Sequence, residues 1–240
     1  MPESERDLKE DSYMNRRGEI IGMEVEKIVY PGRGLGRVDG QVIFVDGALP
    51  GETVTARIRR AKKNYAEAEA VAIDTPSPHR IEAACGLSGI CPGCSYQFLD
   101  YPEEIRIKQV QLRDLLERIG KIDDPPLLEP VSAPQPLGYR NKITLHAGDP
   151  AGDRPTPLGY YGTDNRTVID VPRCPLAVEP INRDLKLLRD DRDFRESLEA
   201  GENVTFRYTP VDGPVSFREG AVPESALLSE ETVLGPLSVP

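Results

Sequence analysis

The chain has 240 residues, 38% of them hydrophobic, with 30 basic and 40 acidic side chains and a net charge of −10. No aliphatic run exceeds four residues, as at 70–73, against the roughly 18 a bilayer span needs, and residues 1–15 are charged throughout, so neither a membrane segment nor a secretory signal is expected. The acidity is uneven: residues 147–240 carry 10 basic and 17 acidic groups, whereas residues 15–75 carry 10 and 9, which leaves room for a local phosphate-binding face. The composition predicts a cytoplasmic, β-rich globular protein.

Residues 1–16 read as an acidic tail outside the fold. Residues 17–75 read as short strands joined by tight turns. The stretch 19–30 mixes β-branched residues with charges, and the glycines and proline of 31–36 predict a loop. Val38 and Val42 flank Asp39-Gly40-Gln41, where Asp-Gly signals a hairpin. A turn follows at 49–52, and alternation predicts strands at 53–59 and 66–73. Four or five strands in under 60 residues suggest a small closed barrel. Within it, Arg57, Arg59, Arg60, Lys62 and Lys63 place five cations in seven residues, and Tyr65 beside them offers a stacking surface for a base.

Pro76-Ser77-Pro78 ends that block. Asp100 and Glu103 mark a helix start and Gly120 its end, with Ile105, Leu112, Leu115, Leu116 and Ile119 as the apolar face. Prolines make 123–135 a connection. Strands are predicted at 142–147, 158–161, 166–171, 204–208, 214–218 and 231–234, and a helix at 180–191. Arg140, Asn141 and Lys142 form a second polar cluster at a strand start.

The four cysteines follow a C-x5-C-x2-C pattern, Cys85, Cys91 and Cys94, with Cys174 80 positions beyond Cys94. Three thiols on a Gly- and Pro-containing loop can wrap one centre, and the fourth closes it. An iron–sulfur cluster is favoured, zinc on four thiolates is the alternative, and disulfides require an oxidising compartment that nothing here supports. His79 and His146 read as surface or core residues, because four thiolates already complete a site.

These residues carry a resemblance. Gly32-x-Gly34-x-Gly36, Gly40-x-Val42-x-Phe44-Val45, residues 47–52 and the basic run through Tyr65 resemble a TRAM domain, an RNA-binding barrel. The cysteine loop followed by Ser95-Tyr96-Gln97, then Tyr139-Arg140-Asn141-Lys142 and Cys174-Pro175-Leu176, resembles the RNA uracil-5-methyltransferase family, especially its cluster-bearing 23S rRNA members. The resemblance implies a [4Fe–4S] cluster on Cys85, Cys91, Cys94 and Cys174, RNA as partner, and S-adenosylmethionine as cofactor of a complete family member. Pro92 stands where the family usually has glycine, without altering the thiol spacing.

The family's catalytic domain is Rossmann-like, and three features predict its absence here. The only Gly-rich loop runs toward a strand rather than a helix, which a cofactor loop requires. All four cysteines match cluster positions, leaving no nucleophile to attack uracil C6. Residues 234–240 lack an apolar βαβ run. The expected fold class is therefore mainly β with α+β: a small TRAM (OB-like) barrel over 17–75, then an α+β iron–sulfur and central domain over 76–240, with the Rossmann-like domain absent. The expected function is the RNA-recognition and cluster portion of a methyltransferase, truncated or completed by a separate catalytic chain. The alternative is a stand-alone RNA-binding protein with a structural iron–sulfur or zinc site.

Overall fold

A computed structural model describes residues 17–150, 152, 154–219, 228–232 and 235–239. The chain divides into two compact units, Met1–Ala83 with Ser95–Ser132, and Ala84–Cys94 with Ala133–Pro240.

The first unit holds β1 (Ile20–Glu24), β2 (Lys27–Val29), β3 (Arg33–Val38), β4 (Gln41–Asp46), β5 (Thr53–Ala61) and β6 (Tyr65–Thr75), in the sheet order β1-β5-β6-β4-β3-β2. The β4–β6 pair is parallel and the others are antiparallel. The two edge strands are consecutive in the chain: residues 20–24 pair with β5 and residues 27–29 with β3, so one bent segment brings the ends of the sheet together. Period-two alternation fills the interior with Ile21, Met23, Val25, Ile43, Val45, Val54, Ala56, Ile58, Ala66 and Ala68. Glu52 is buried among them, its carboxylate accepting from the Leu49 and Ser77 amides at 2.8 and 3.0 Å and from Arg80 Nε and Nη2 at 2.5 and 2.7 Å. Burial opposes ionisation of Glu52, yet the Arg80, Ser77 and Leu49 donors outweigh it and hold the carboxyl below its usual range.

Helix α1 (Tyr101–Arg118) begins where Asp100 Oδ1 accepts from the Glu103 amide at 2.9 Å. It packs on the edge strand through Ile107 and Gln111. Gln111 Nε2 donates to the Ile28 carbonyl at 3.2 Å and Oε1 accepts from Tyr96 Oη at 3.0 Å, which satisfies a strand edge that β3 leaves open. The predicted apolar face is corrected: Leu112, Leu115 and Ile119 are exposed, because the helix docks by one hydrogen-bonded polar residue and Ile107 rather than by a wide apolar stripe. The loop expected at 31–36 is corrected to strand from Arg33. Its glycines serve close approach: a Cβ on Gly36 would stand 2.2 Å from the Glu24 carbonyl oxygen, and one on Gly34 2.9 Å from Val45.

The second unit holds β7 (Lys142–Ala147), β8 (Leu158–Tyr161), β9 (Val168–Asp170), β10 (Asn203–Thr209) and β11 (Gly213–Arg218), in the antiparallel order β11-β10-β7-β8-β9. Helix α2 (Glu179–Asp190) and the short α3 (Arg192–Glu196) accompany it. Ile143, Leu145, Leu158, Val204 and Phe206 meet Ile181 and Leu185 in one core. Of the strand expected at 231–234, residues 231–232 belong to β12 (Leu228–Thr232), which pairs antiparallel with β13 (Gly235–Val239), and 233–234 fall outside the described residues. The acidic tail of 1–16 falls outside the described residues.

The expected fold class is corrected. The described residues form two large β-sheets, of six and five strands, rather than a lone barrel followed by a cluster-centred α+β domain. The strands of the second sheet were expected but their pairing was not, because its central ladder joins Asn203 to His146, and such remote partners leave no mark on local periodicity. The expected absence of a Rossmann-like domain is also corrected below.

Candidate functional site

In the first unit, strand β5 carries the basic run outward. Alternation faces Arg57 and Arg59 to solvent, and a register shift between Ile58 and Arg60 turns Arg60 out as well. Arg57 Nη1 lies 3.6 Å from Glu69 Oε1, and Arg59 Nη2 donates to Glu69 Oε2. Among the described residues Arg60, Lys62 and Lys63 pair with no carboxylate. Their charge therefore remains available, whereas that of the first two arginines is partly neutralised. Lys62 Nζ sits 5.2 Å from the Tyr65 ring centre, and Tyr65 meets Phe44 edge-on at 5.6 Å. Arg33 lies 5.7 Å from the Phe44 ring and bonds Asp46 Oδ1 at 2.8 Å. Sequence reasoning found Tyr65 but missed Phe44 and Arg33. The signal was present: Phe44 lies between buried Ile43 and Val45, so alternation points it outward.

In the second unit, Cys85, Cys91 and Cys94 ride on a turn closed by the Ser88 amide donating to Cys85 O at 3.0 Å and the Cys91 amide donating to Leu87 O at 2.8 Å. Cys174 is buried in the loop between β9 and α2. Asn182 clamps that loop, its Oδ1 accepting from the Cys174 amide at 3.0 Å and its Nδ2 donating to the Cys174 and Ala177 carbonyls at 3.0 and 3.2 Å. Residues 138–140 run parallel beside it, with the Gly138 amide on Pro175 O at 2.9 Å and the Arg140 amide on Leu176 O at 2.8 Å. The motif Tyr139-Arg140-Asn141-Lys142 and the motif Cys174-Pro175-Leu176 are thus neighbours in space.

None of the four cysteines forms a disulfide. Burial pushes the Cys91 thiol up, the Gly93 amide pulls the other way, and the nearby Cys85 and Cys174 sulfurs add to the rise. Arg140 is half-buried. Desolvation works against its charge, but Tyr139, Tyr160 and Cys174 outweigh that and hold the guanidinium above its ordinary value. Arg140 is therefore within electrostatic reach of Cys91 and Cys174, while Lys142, heading β7, is exposed. The Asn141 carbonyl accepts from the Tyr208 amide at 2.8 Å, which ties that residue's backbone to β10. The Tyr160 hydroxyl is buried next to Cys174 without a hydrogen bond of ordinary geometry; burial first, then the sulfur, raise its pKa. His79 pairs with Asp100 at 2.8 Å, and His146 stacks on Tyr161 at 4.3 Å, so neither histidine joins the thiols.

Among the described residues no three His, Cys, Asp or Glu side chains are gathered tightly enough to hold a metal ion. The donor set nevertheless fits a thiolate-bound metal by its chemistry: four cysteines outside any disulfide in one unit, Cys91 within electrostatic reach of Cys85 and Cys174, and an unpartnered hydroxyl beside the last. No helix of the described residues is long and apolar enough to cross a membrane.

Comparison with known proteins adds four findings. The TRAM domain family matches residues 15–71. The chain is 37% identical over 161 residues to an uncharacterised RNA methyltransferase of Gloeobacter violaceus, covering 67% of this chain and 35% of the relative. It is 40% identical over 156 residues to the 23S rRNA (uracil(1939)-C(5))-methyltransferase RlmD of Acidithiobacillus ferrooxidans, covering 65% and 35%. The chain thus spans about a third of the length of these curated relatives. Among solved structures, the Pyrococcus abyssi tRNA (uracil-54, C5)-methyltransferase in complex with S-adenosyl-L-homocysteine matches with a TM-score of 0.53 at 21% identity. The match covers 79% of this chain and 43% of that one, a likeness of fold. It overturns the expected absence of a Rossmann-like domain: the motifs sought in 240 residues speak for the matched portion alone, and such a domain is not excluded.

Proposed function

We propose that this chain, which carries a TRAM domain and resembles the 23S rRNA uracil-5-methyltransferases at the level of the family, supplies the RNA-recognition part of such an enzyme. The substrate class is 23S rRNA, the reaction is methyl transfer to uracil C5, and the setting is cytoplasmic. S-adenosylmethionine would supply the methyl group. Arg60, Lys62 and Lys63 would meet phosphates, and the Phe44–Tyr65 pair would present ring surface to an unstacked base. Arg57 and Arg59 would contribute less, because Glu69 already engages both. Asn141 and Lys142 would serve as a second contact in the other unit, with Arg140 within electrostatic reach of Cys91 and Cys174.

A [4Fe–4S] cluster on Cys85, Cys91, Cys94 and Cys174 is part of this reading, as a structural brace for the loops that carry these residues. The thiols would draw in as metal binds, since metal sites commonly form together with their local fold. Asn182 would fix the Cys174 loop before that happens.

The observation that carries the reading is a coincidence of place. The residues matched to TRAM, 15–71, include both the two-ring pair and the three cations that pair with no carboxylate among the described residues. The test is filter binding of labelled 23S rRNA fragments against duplex DNA of equal length and charge. Binding should favour the RNA and weaken steeply with salt. Equal affinity for the duplex would overturn the reading, since phosphate attraction alone would then explain it.

A further inference from the structure

A buried hydroxyl seldom lacks a hydrogen-bond partner, and an orphan of this kind calls for an explanation. Tyr160 Oη is one. Strand alternation sets it there: Leu158 and Tyr160 share the face of β8 that turns to the core, whereas Tyr161 takes the opposite face and stacks on His146. The Tyr160 ring packs against the core cluster that contains Cys174, and its hydroxyl lies beside that sulfur. A neutral thiol is a weak acceptor, so the hydroxyl gains little there. A metal-bound thiolate is a charged acceptor, and a hydrogen bond to it is short and strong.

We propose that Tyr160 Oη donates a hydrogen bond to the Cys174 sulfur once that sulfur is bound to metal, which makes Tyr160 a positioning residue of the thiolate site. The inference rests on the thiolate-metal reading of the four cysteines. The hydroxyl contacts a ligand rather than the metal, and it offsets part of the negative charge that four thiolates bring together. Arg140, on the strand pinned beside the Cys174 loop, supplies a full positive charge to the same end. Groups in this position typically change metal retention by about 10- to 100-fold when removed. The shared chemistry is a metal on thiolates, and the source is separated by loading the protein with iron and sulfide in one arm and with zinc or cobalt(II) in the other.

Tyr160→Phe removes only the hydroxyl oxygen. Tyr161→Phe makes the same deletion one residue along, on the other face. Three quantities are read: metal bound per chain, the position of the sulfur-to-metal absorption band, and the rate of metal loss to a chelator. Wild type and both variants should bind equal metal. Tyr160→Phe should displace the band and lose metal about 10-fold faster, with Tyr161→Phe unchanged. Metal-free Tyr160→Phe should melt at the wild-type temperature, because the hydroxyl gains little from a neutral thiol in that state. A band and loss rate equal to wild type would overturn the proposal, as would a lowered melting temperature of the metal-free variant, which would mark a structural role. Wild type that takes up neither iron nor zinc would instead sink the thiolate-metal reading, and this inference with it.

Discussion

Glu52→Gln tests what holds the first unit to the segment that follows its barrel. The carboxylate is fully buried and receives four hydrogen bonds, two from amides and two from Arg80, whose side chain is 21% exposed. Glutamine keeps the shape but removes the charge, and its NH2 group must face donors where an oxygen accepted before. Breaking a buried ion pair by removing one partner costs about 3–5 kcal/mol. Arg80 retains some water and its bond to the Gly47 carbonyl at 2.8 Å, so the low end, ~3 kcal/mol, is expected. With a urea m-value of about 2 kcal/mol per molar, the midpoint should fall by about 1.5 M. The pH dependence has a definite sign. The folded carboxyl lies below its unfolded value, so its contribution is present above the unfolded pKa near 4.5 and is lost as pH falls through the folded pKa. The gap between wild type and Glu52→Gln should therefore narrow on acidification. Urea titrations followed by circular dichroism at neutral and acidic pH provide the assay. A midpoint shift under about 0.3 M at neutral pH, the range of ordinary surface substitutions, would refute the reasoning.

Gly36→Ala should destabilise the same unit by more than about 2 kcal/mol, because its Cβ would stand 2.2 Å from backbone oxygen that cannot swing aside; a melting temperature within a degree of wild type would contradict the close packing of β3. Asn182→Ala removes three hydrogen bonds from the Cys174 loop and should cost about 2–4 kcal/mol in the second unit, read by denaturation, with faster alkylation of Cys174 by a thiol reagent. Unchanged alkylation would mean that Asn182 does not hold the loop.

The barrel strands were legible because Ile43, Val45, Val54, Ala56 and Ile58 alternate cleanly with polar or outward residues, and because Asp39-Gly40 and residues 49–52 punctuate them. The α1 start was legible from Asp100 and Glu103 for a local reason as well. Gly34 and Gly36 misled because glycine marks both loops and tight strand packing, and only the neighbours Val45 and Glu24 distinguish the two. The helix face misled because Gln111, a polar residue, makes the docking contact. In the candidate site, the basic run was legible as composition. Its division into paired and unpaired cations was not, since Glu69 reaches Arg57 and Arg59 only through the β5–β6 register. The nearness of Arg140 to the thiols was equally hidden, because it depends on residues 138–140 lying along 175–178.

That division of the basic run offers the most direct measurement. RNA affinity of wild type, Arg60→Ala/Lys62→Ala/Lys63→Ala and Arg57→Ala/Arg59→Ala is followed from low to high salt, with circular dichroism confirming the fold of each. Each lost phosphate contact lowers the slope of log affinity against log salt by about 0.7–0.9, so the triple variant should lose about 2–3. The double variant should lose less than about 1, because Glu69 already engages both arginines. Equal losses in the two variants, or no loss in the triple variant, would contradict RNA recognition through the unpaired cations.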